Sequence, residues 1–221
     1  MKKRYLALAF LLMPITAFAN VKTYQIDKDH SIVSFRIGHL IGKVQGSFSD
    51  FTGEIKMDEK NPKKFSTAST INVDSISTNN KKRDDHLKSP DFFDINSKEH
   101  ADYKNITFEA KNFQVDENAQ GGIQKGKLNG YITIHGFKQP ITLDMTVNGD
   151  PILDPFGNAR ISISATGSLN RQDFGLNWKH PAGEIVVGDV VEIDLEVQGF
   201  RKVQEPKSAS QKNESKKDSK K

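Results

Sequence analysis

A strict alternation of apolar and polar residues recurs from about residue 105 to residue 200 and limits the folds open to this chain. It is clearest over 191–197, where every odd position is aliphatic and every even position is a carboxylate, and it returns over 141–147 and 161–166. Because successive side chains of a strand point to opposite faces, each run has one apolar and one polar face. A sheet closed on itself buries all the apolar faces together and leaves no open edge.

The first nineteen residues predict a secretory signal peptide. A basic start (Lys2, Lys3 and Arg4) precedes a mostly apolar stretch, and the small residues Ala17 and Ala19 form a cleavage signal. We expect cleavage after Ala19. A transmembrane anchor is the alternative, and it is disfavoured because the apolar stretch is shorter than the roughly 20 residues that a spanning helix needs. The mature chain then folds outside the cytoplasm, without cysteine and therefore without disulfides.

The segment 201–221 has the composition of a disordered tail rich in Lys and Ser. Since this tail carries +5, the leader +3 and the whole chain +4, the domain between them carries −4. A nucleic-acid partner is not expected, because such a domain would need a basic face of its own. The tail either contacts anionic lipid headgroups or cell-wall polymers transiently, or only aids solubility.

One domain is predicted over 20–200, with eight or nine strands joined mostly by short turns. The alternation fails near residues 79–88, which predicts one short helical insertion, and Phe48 is out of step with Phe51, which indicates a bulge near Ser49 and Asp50. The predicted fold class is all-β: an eight-stranded antiparallel barrel with this single helical insertion. Such a barrel is just wide enough to be filled by side chains or to hold one slim ligand.

Several ordered segments are similar to a known family. They lie at 27–35 (DKDHSIVSF), 46–53 (GSFSDFTG), 75–78 (SIST), 83–94 (RDDHLKSPDFFD), 106–108 (ITF), 130–136 (GYITIHG) and 171–176 (RQDFGL). Together they resemble the YceI-like family of lipocalin-type, polyisoprenoid-binding periplasmic domains. The resemblance implies a lipocalin-like barrel in the periplasm, with an elongated apolar pocket for a long isoprenoid or another long-chain amphiphile, and no enzymatic activity.

Two groups of residues are candidates for binding such a ligand. The polar group, Arg83 and His86, either meets a headgroup at the barrel opening or belongs to a capped, ion-paired helix. The apolar group either lines a pocket or packs the barrel solid, and the resemblance favours a pocket. Its members are Phe35, Phe51, Phe108, Ile132, Ile134, Leu143, Met145, Ile163 and Leu195.

No cofactor or metal is expected. The histidines show no helical ligand spacing, and neither a nucleophile elbow nor a glycine-rich phosphate loop is present. The sequence favours a carrier of a long-chain lipid or isoprenoid quinone and leaves three alternatives open. These are an outer-membrane barrel, an enzyme acting on a prenyl diphosphate through Asp84, His86 or Arg171, and a filled barrel that binds partner proteins. A homodimer is also left open.

Overall fold

The computed structural model describes residues 20–116, 122–183 and 186–203. The predicted signal peptide and the predicted tail beyond residue 203 lie outside these residues, so both stay predictions. None of the helices in the described ranges is long and apolar enough to cross a membrane.

Strands dominate the described part of the chain. They are β1 (Val21–Ile26), β2 (Ile32–His39), β3 (Gly42–Phe48), β4 (Phe51–Asp58), β5 (Asn61–Asn72), β6 (Ile76–Ser77), β7 (Asn105–Val115), β8 (Ile123–Ile134), β9 (Phe137–Asn148), β10 (Ile152–Leu153), β11 (Asn158–Asn170) and β12 (Val190–Lys202). The α-helix α1 spans Lys81–Leu87, and short 3-10 helices lie at Lys28–His30, Val73–Ser75, Ala101–Lys104 and Arg171–Phe174.

These strands close into a barrel with eight positions. β1 and β2 lie end to end and together fill the first position of the ring, because β12 pairs with both of them. On their other side, β1 pairs with β4 and β2 pairs with β3. β3 and β4 share the second position, and β5, β7, β8, β9, β11 and β12 continue around the ring, each antiparallel to the next. The predicted eight-stranded antiparallel barrel is confirmed.

The alternation in the sequence sorts the side chains between the lumen and the solvent. Leu128 on β8 lies opposite Leu143 on β9, and both are buried inside the barrel. One residue along each strand, Lys127 and Asp144 form an ion pair on the outer surface. Since an outer-membrane barrel turns its apolar side chains outward, the polarity seen here is the reverse of that alternative.

The two ends of the barrel differ. One end, the α1 end, carries the β2–β3 turn, the 78–104 connection with α1, and the connection that follows β11. The other end, the tail end, carries the start of β1, the β4–β5 turn, the β10–β11 turn and the end of β12. The ends must be distinguished because only one of them is hollow.

The predicted irregularity near Ser49 and Asp50 is a two-residue gap between β3 and β4. The Asp50 backbone N–H lies 3.0 Å from the Ser75 hydroxyl, to which it donates a hydrogen bond, so the gap is held from the neighbouring connection. A gap of two residues shifts the alternation, and Phe48 and Phe51 are consequently both buried.

Helix α1 confirms the predicted helical insertion, with bounds slightly inside the expected 79–88. Asn80 is its N-cap residue, and the Asn80 side-chain oxygen accepts a hydrogen bond from the Arg83 backbone N–H at 3.2 Å. This cap fixes the start of the helix, whose last turn reaches the barrel opening.

Candidate functional site

The half of the barrel toward the α1 end encloses a cavity of about 400 Å³. Residues from all eight barrel positions, from α1 and from the two long connections form its wall. Apolar members of that wall include Ile26, Val33, Phe35, Ile37, Val44, Phe48, Phe51, Ile71, Ile76, Leu87, Phe92, Phe93, Ile106, Phe108, Ile132, Ile134, Ile141, Leu143, Leu169, Leu176, Trp178, Val186, Val187, Val191, Ile193, Leu195 and Val197. This volume lies within the usual range for small-molecule pockets, about 300–1,000 Å³.

Side chains fill the other half of the barrel. Tyr24 is fully buried there, and its hydroxyl donates a hydrogen bond of 2.5 Å to the Glu59 carboxylate. Arg201 donates to the same carboxylate oxygen at 2.8 Å, and its guanidinium lies over the Tyr24 ring. Burial raises the pKa of Tyr24 to about 12, and the hydrogen bond to Glu59 acts in the same direction. The lumen is therefore a blind pocket that is packed shut toward the tail end.

Nine of the eleven predicted ligand-binding residues come together at the cavity wall: Phe35, Phe51, Arg83, His86, Phe108, Ile132, Ile134, Leu143 and Leu195. The other two, Met145 and Ile163, point inward as predicted but are buried in the packed half, away from the cavity wall. The strands that carry them run from the hollow half of the barrel into the packed half. Alternation shows which side chains point inward, but not where along a strand the lumen becomes filled with side chains.

Several wall residues come from connections that the sequence patterns did not single out as pocket. Phe92 and Phe93 follow α1, and Leu176, Val186 and Val187 belong to the connection after β11. These segments lack periodicity, so nothing local predicts which way their side chains point. The paired phenylalanines after Pro90 were the one available signal, since apolar aromatic residues in a loop have to be buried somewhere.

An aromatic cluster borders the cavity at the α1 end. The ring of Trp178 lies edge-on to His86, with centroids 4.9 Å apart, and 5.3 Å from the ring of Phe92. His86 also contacts Phe92 edge-on, and its Nε2 lies 2.7 Å from a carboxylate oxygen of Asp91. Trp178 therefore forms part of the cavity wall at the α1 end of the barrel.

Arg83 is hydrogen-bonded to Thr78 and also borders the cavity. Its Nε donates to the Thr78 hydroxyl at 2.8 Å, and its Nη2 donates to the Thr78 carbonyl at 2.9 Å. The carboxylate of Asp84 accepts hydrogen bonds from the backbone N–H and the hydroxyl of the same threonine, at 2.9 and 2.5 Å. The helix is capped as the structural alternative expects. The expected pairing of Arg83 with a carboxylate is not among its contacts in the described residues, where the guanidinium binds Thr78 beside the opening.

Arg171 fastens the connection after β11 to the barrel. Its buried guanidinium donates to the Gly188 carbonyl at 2.9 Å, to the Leu176 carbonyl, and to the Asp189 carboxylate at 2.9 Å. Gly188 in turn donates its N–H to the Gly38 carbonyl at 2.9 Å, at the end of β2. The two glycines lie close together, since an added Cβ on Gly188 would be in van der Waals contact with the Gly38 backbone, at 3.4 Å. The wall segment around Val186 and Val187 is thus fixed at one side.

A glycine also keeps the cavity open. Gly46 on β3 pairs with Phe35 on β2, and a Cβ on Gly46 would lie only 2.4 Å from Cζ of the Phe35 ring. The absence of a side chain therefore lets this ring lie against the barrel wall instead of projecting into the lumen.

The chemistry of the wall suits an apolar chain with a neutral or anionic end. The ionisable side chains among the described wall residues are His39, Arg83, His86, Arg171 and His180, and no carboxylate is among them. In the described ranges, no group of three or more His, Asp or Glu side chains is arranged to hold a metal ion.

An antiparallel eight-stranded barrel with one hollow, apolar half is a ligand-binding barrel in architecture. Comparison with known proteins places the chain more narrowly. The model of the YceI-like domain matches residues 24–199, and the chain belongs to the YceI-like family.

Curated relatives and solved structures agree with this membership. Protein YceI of Escherichia coli O157:H7 is 34% identical over 180 residues, 80% of this chain and 88% of the relative. A Campylobacter jejuni YceI crystal structure superimposes with a TM-score of 0.59 at 28% identity, covering 72% of this chain and 86% of that one. A polyisoprenoid binding domain from Saccharophagus degradans superimposes with a TM-score of 0.58 at 16% identity, covering 80% and 97%, and shows the shared fold alone.

Proposed function

We propose that this protein is a periplasmic carrier or store that holds a long-chain lipophilic molecule, a polyisoprenoid or an isoprenoid quinone, in the hollow half of its barrel. The observation that carries the proposal is the blind cavity of about 400 Å³ with its aliphatic and aromatic wall. The S. degradans domain of the same fold is described as polyisoprenoid-binding, which agrees with this choice of ligand class.

Burial of the ligand chain supplies the affinity in this proposal. Each buried methylene contributes about 0.8 kcal/mol, so a five-carbon isoprene unit contributes about 4 kcal/mol at most. Association costs roughly 4–15 kcal/mol in lost motion, which about one to four buried units offset. Shape rather than hydrogen bonding then governs selectivity, and chains of equal length and similar shape are expected to bind with similar affinity.

The polar end of the ligand is assigned to the α1 end. Arg83 and His86 lie at the rim of the cavity, and Arg83 has its Nη1 without a hydrogen bond to any residue that the structure describes. A phosphate or a quinone carbonyl at this position would meet the Nη1 donor of Arg83, since the neighbouring carboxylates of Asp84 and Asp91 are engaged by Thr78 and His86. The headgroup therefore sits beside α1 while the chain points toward Tyr24.

Binding is proposed rather than catalysis. Of the suspected catalytic groups, Asp84 is occupied by Thr78, His86 contacts Asp91, and Arg171 holds backbone carbonyls. The three suspected groups thus hold the walls of a pocket, and each is already engaged by a neighbouring group.

The location and further partners complete the proposal. The predicted leader 1–19 supports a periplasmic location, and the Lys-rich segment after Val203 supports transient membrane contact. A homodimer stays a prediction. Native mass spectrometry of the protein measures its oligomeric state directly.

A pair of neighbouring substitutions on β2 tests the proposal. Val33→Phe inserts a ring into the cavity, whereas Ile32→Phe places the same ring on the exposed outer side, since Ile32 is 57% exposed. In calorimetric titrations of delipidated protein with farnesol, geranylgeraniol and longer isoprenoid alcohols, affinity should rise with chain length until the cavity is full. Val33→Phe should abolish that rise and Ile32→Phe should preserve it. Equal titrations of the two variants would overturn the proposal.

A further inference from the structure

The β10–β11 turn at the tail end exposes a compact group of large apolar side chains. Ile152 is 67% exposed, Leu153 is 68% exposed and Phe156 is 86% exposed. We call residues 152–157 the apolar tip. Single exposed apolar residues are ordinary on soluble proteins, but three within five positions form a patch.

The apolar tip is held in this conformation by its own carboxylate. Asp154 Oδ1 accepts hydrogen bonds from the backbone N–H groups of Phe156 and Asn158, both at 2.9 Å. Asp154 Oδ2 accepts from Arg160 Nε at 2.7 Å, and Arg160 also binds Asp27 at 2.7 Å, which ties the turn to the start of the domain. The apolar side chains are thus presented to solvent by a braced turn.

The chain leaves the barrel beside this tip. The Val203 backbone N–H donates to the Gly157 carbonyl at 3.2 Å, and Val203 is itself 41% exposed. The sequence that follows, 204–221, contains six lysines against three acidic residues. An apolar patch and a net positive segment therefore start from one point on the surface.

We propose that the apolar tip docks on an anionic lipid bilayer, a partner that the net positive charge of the sequence 204–221, which continues from Val203 beside the tip, favours. A single weak anchor gives only marginal membrane binding, whereas an apolar insertion together with a basic segment gives stable binding. Phe156, Ile152 and Leu153 enter the interface between headgroups and acyl chains, and the net positive charge of 204–221 makes anionic headgroups the favoured surface.

This docking site fixes the orientation of the barrel. Strand β11, thirteen residues long, runs from the tip toward the α1 end, a distance of roughly 40 Å at about 3.3 Å per residue. The cavity opening then faces away from the bilayer on which the protein sits, toward the aqueous phase. This conclusion depends on the tail end alone and holds whatever the cavity binds.

Cosedimentation with vesicles tests the docking site. The full secreted chain should bind vesicles of phosphatidylcholine with phosphatidylglycerol more tightly than vesicles of phosphatidylcholine alone. Phe156→Ser should weaken binding to the anionic vesicles by about ten- to a hundredfold, the loss expected for one aromatic insertion. Replacing Lys212, Lys216 and Lys217 by Gln should weaken binding further and flatten its salt dependence.

Ile41 supplies the matched control. It is the fully exposed residue at the tip of the β2–β3 turn, at the opposite end of the barrel. Ile41→Ser also replaces a large, exposed apolar side chain by serine and should leave vesicle binding unchanged. Loss of binding with Ile41→Ser, or unchanged binding with Phe156→Ser, would overturn the proposal.

The orientation has its own spectroscopic readout. Trp178 is the single tryptophan of the chain and borders the cavity at the α1 end. Brominated lipids should leave its fluorescence unquenched in the bound state, whereas Phe156→Trp in a Trp178→Phe background should be quenched. Quenching of Trp178 would show that the cavity opening faces the bilayer. Absence of vesicle binding, with self-association that Phe156→Ser abolishes, would show that the tip contacts a second copy instead. Either result contradicts the proposal.

Discussion

Two leucines that face each other across neighbouring strands distinguish the hollow half of the barrel from the packed half. Leu128 is 2% exposed and Leu143 is 3% exposed, and they are direct partners on β8 and β9. Only Leu143 borders the cavity. The pair is therefore matched in residue type, burial and strand position, and differs in what the side chain faces.

Replacing each leucine by alanine should give unequal losses of stability. Removing three buried carbons costs about 2.4 kcal/mol in lost transfer free energy, and a newly enclosed void adds about 24 cal/mol per Å³. Leu128→Ala creates such a void in packed surroundings, so we expect a loss of about 3–4 kcal/mol. Leu143→Ala only enlarges an existing space, whose wall atoms already lack partners on that side, so the expected loss is about 2–2.5 kcal/mol.

Urea unfolding of delipidated protein, followed by circular dichroism, measures both free energies. Isoprenoid alcohol titration supplies a second measurement, since Leu143→Ala should alter chain binding and Leu128→Ala should not. If Leu143→Ala destabilises the protein as much as Leu128→Ala or more, the lumen near Leu143 is filled and the reasoning fails.

Three further substitutions test individual parts of the site. Gly46→Ala should push the Phe35 ring into the lumen, destabilise the fold by about 1–3 kcal/mol and weaken isoprenoid binding in the calorimetric titration; unchanged binding would contradict the role of Gly46. Arg171→Met should cost about 2–3 kcal/mol in urea unfolding, because it removes charged hydrogen bonds to carbonyls, and should speed ligand release in stopped-flow displacement; an unchanged release rate would mean that this connection does not control access. Burial lowers the pKa of His135 below its usual 6.5, although the nearby carboxylates of Asp94 and Asp102 act in the opposite direction. The unfolded state therefore binds more protons than the folded state, and stability should fall as the pH drops below about 6.5. His135→Asn tolerates the positive φ of 51° and should flatten this dependence in unfolding titrations between pH 7.5 and pH 5, whereas an unchanged slope would place its origin elsewhere.

Most of the barrel could be predicted from the sequence because alternation is a local property. In β8, β9, β11 and β12, apolar residues recur at every second position of the sequence, and in each strand these residues face the lumen. The irregularity at Ser49 and Asp50 was predictable for the same reason, since a slip of phase between Phe48 and Phe51 is visible without knowing the fold.

The depth of the pocket was not predictable in this way. Met145 and Leu143 are two residues apart on β9, have the same inward phase and are equally buried, yet only Leu143 borders the cavity. Whether an inward side chain meets a partner or empty space depends on rings such as Tyr24 and Phe113, which are buried in the same core but belong to other strands. The positions of Phe92 and Leu176 depend on hydrogen bonds such as those of Arg171, which form only after the barrel has closed.

Native mass spectrometry of the protein, purified without detergent from the cells that make it, tests the claim of a hollow, chain-holding lumen most directly. The account predicts that the wild-type chain carries a bound long-chain molecule, that Ile32→Phe retains this added mass, and that Val33→Phe loses it. Bare protein in all three preparations, or the same added mass on Val33→Phe as on the wild type, would contradict the account.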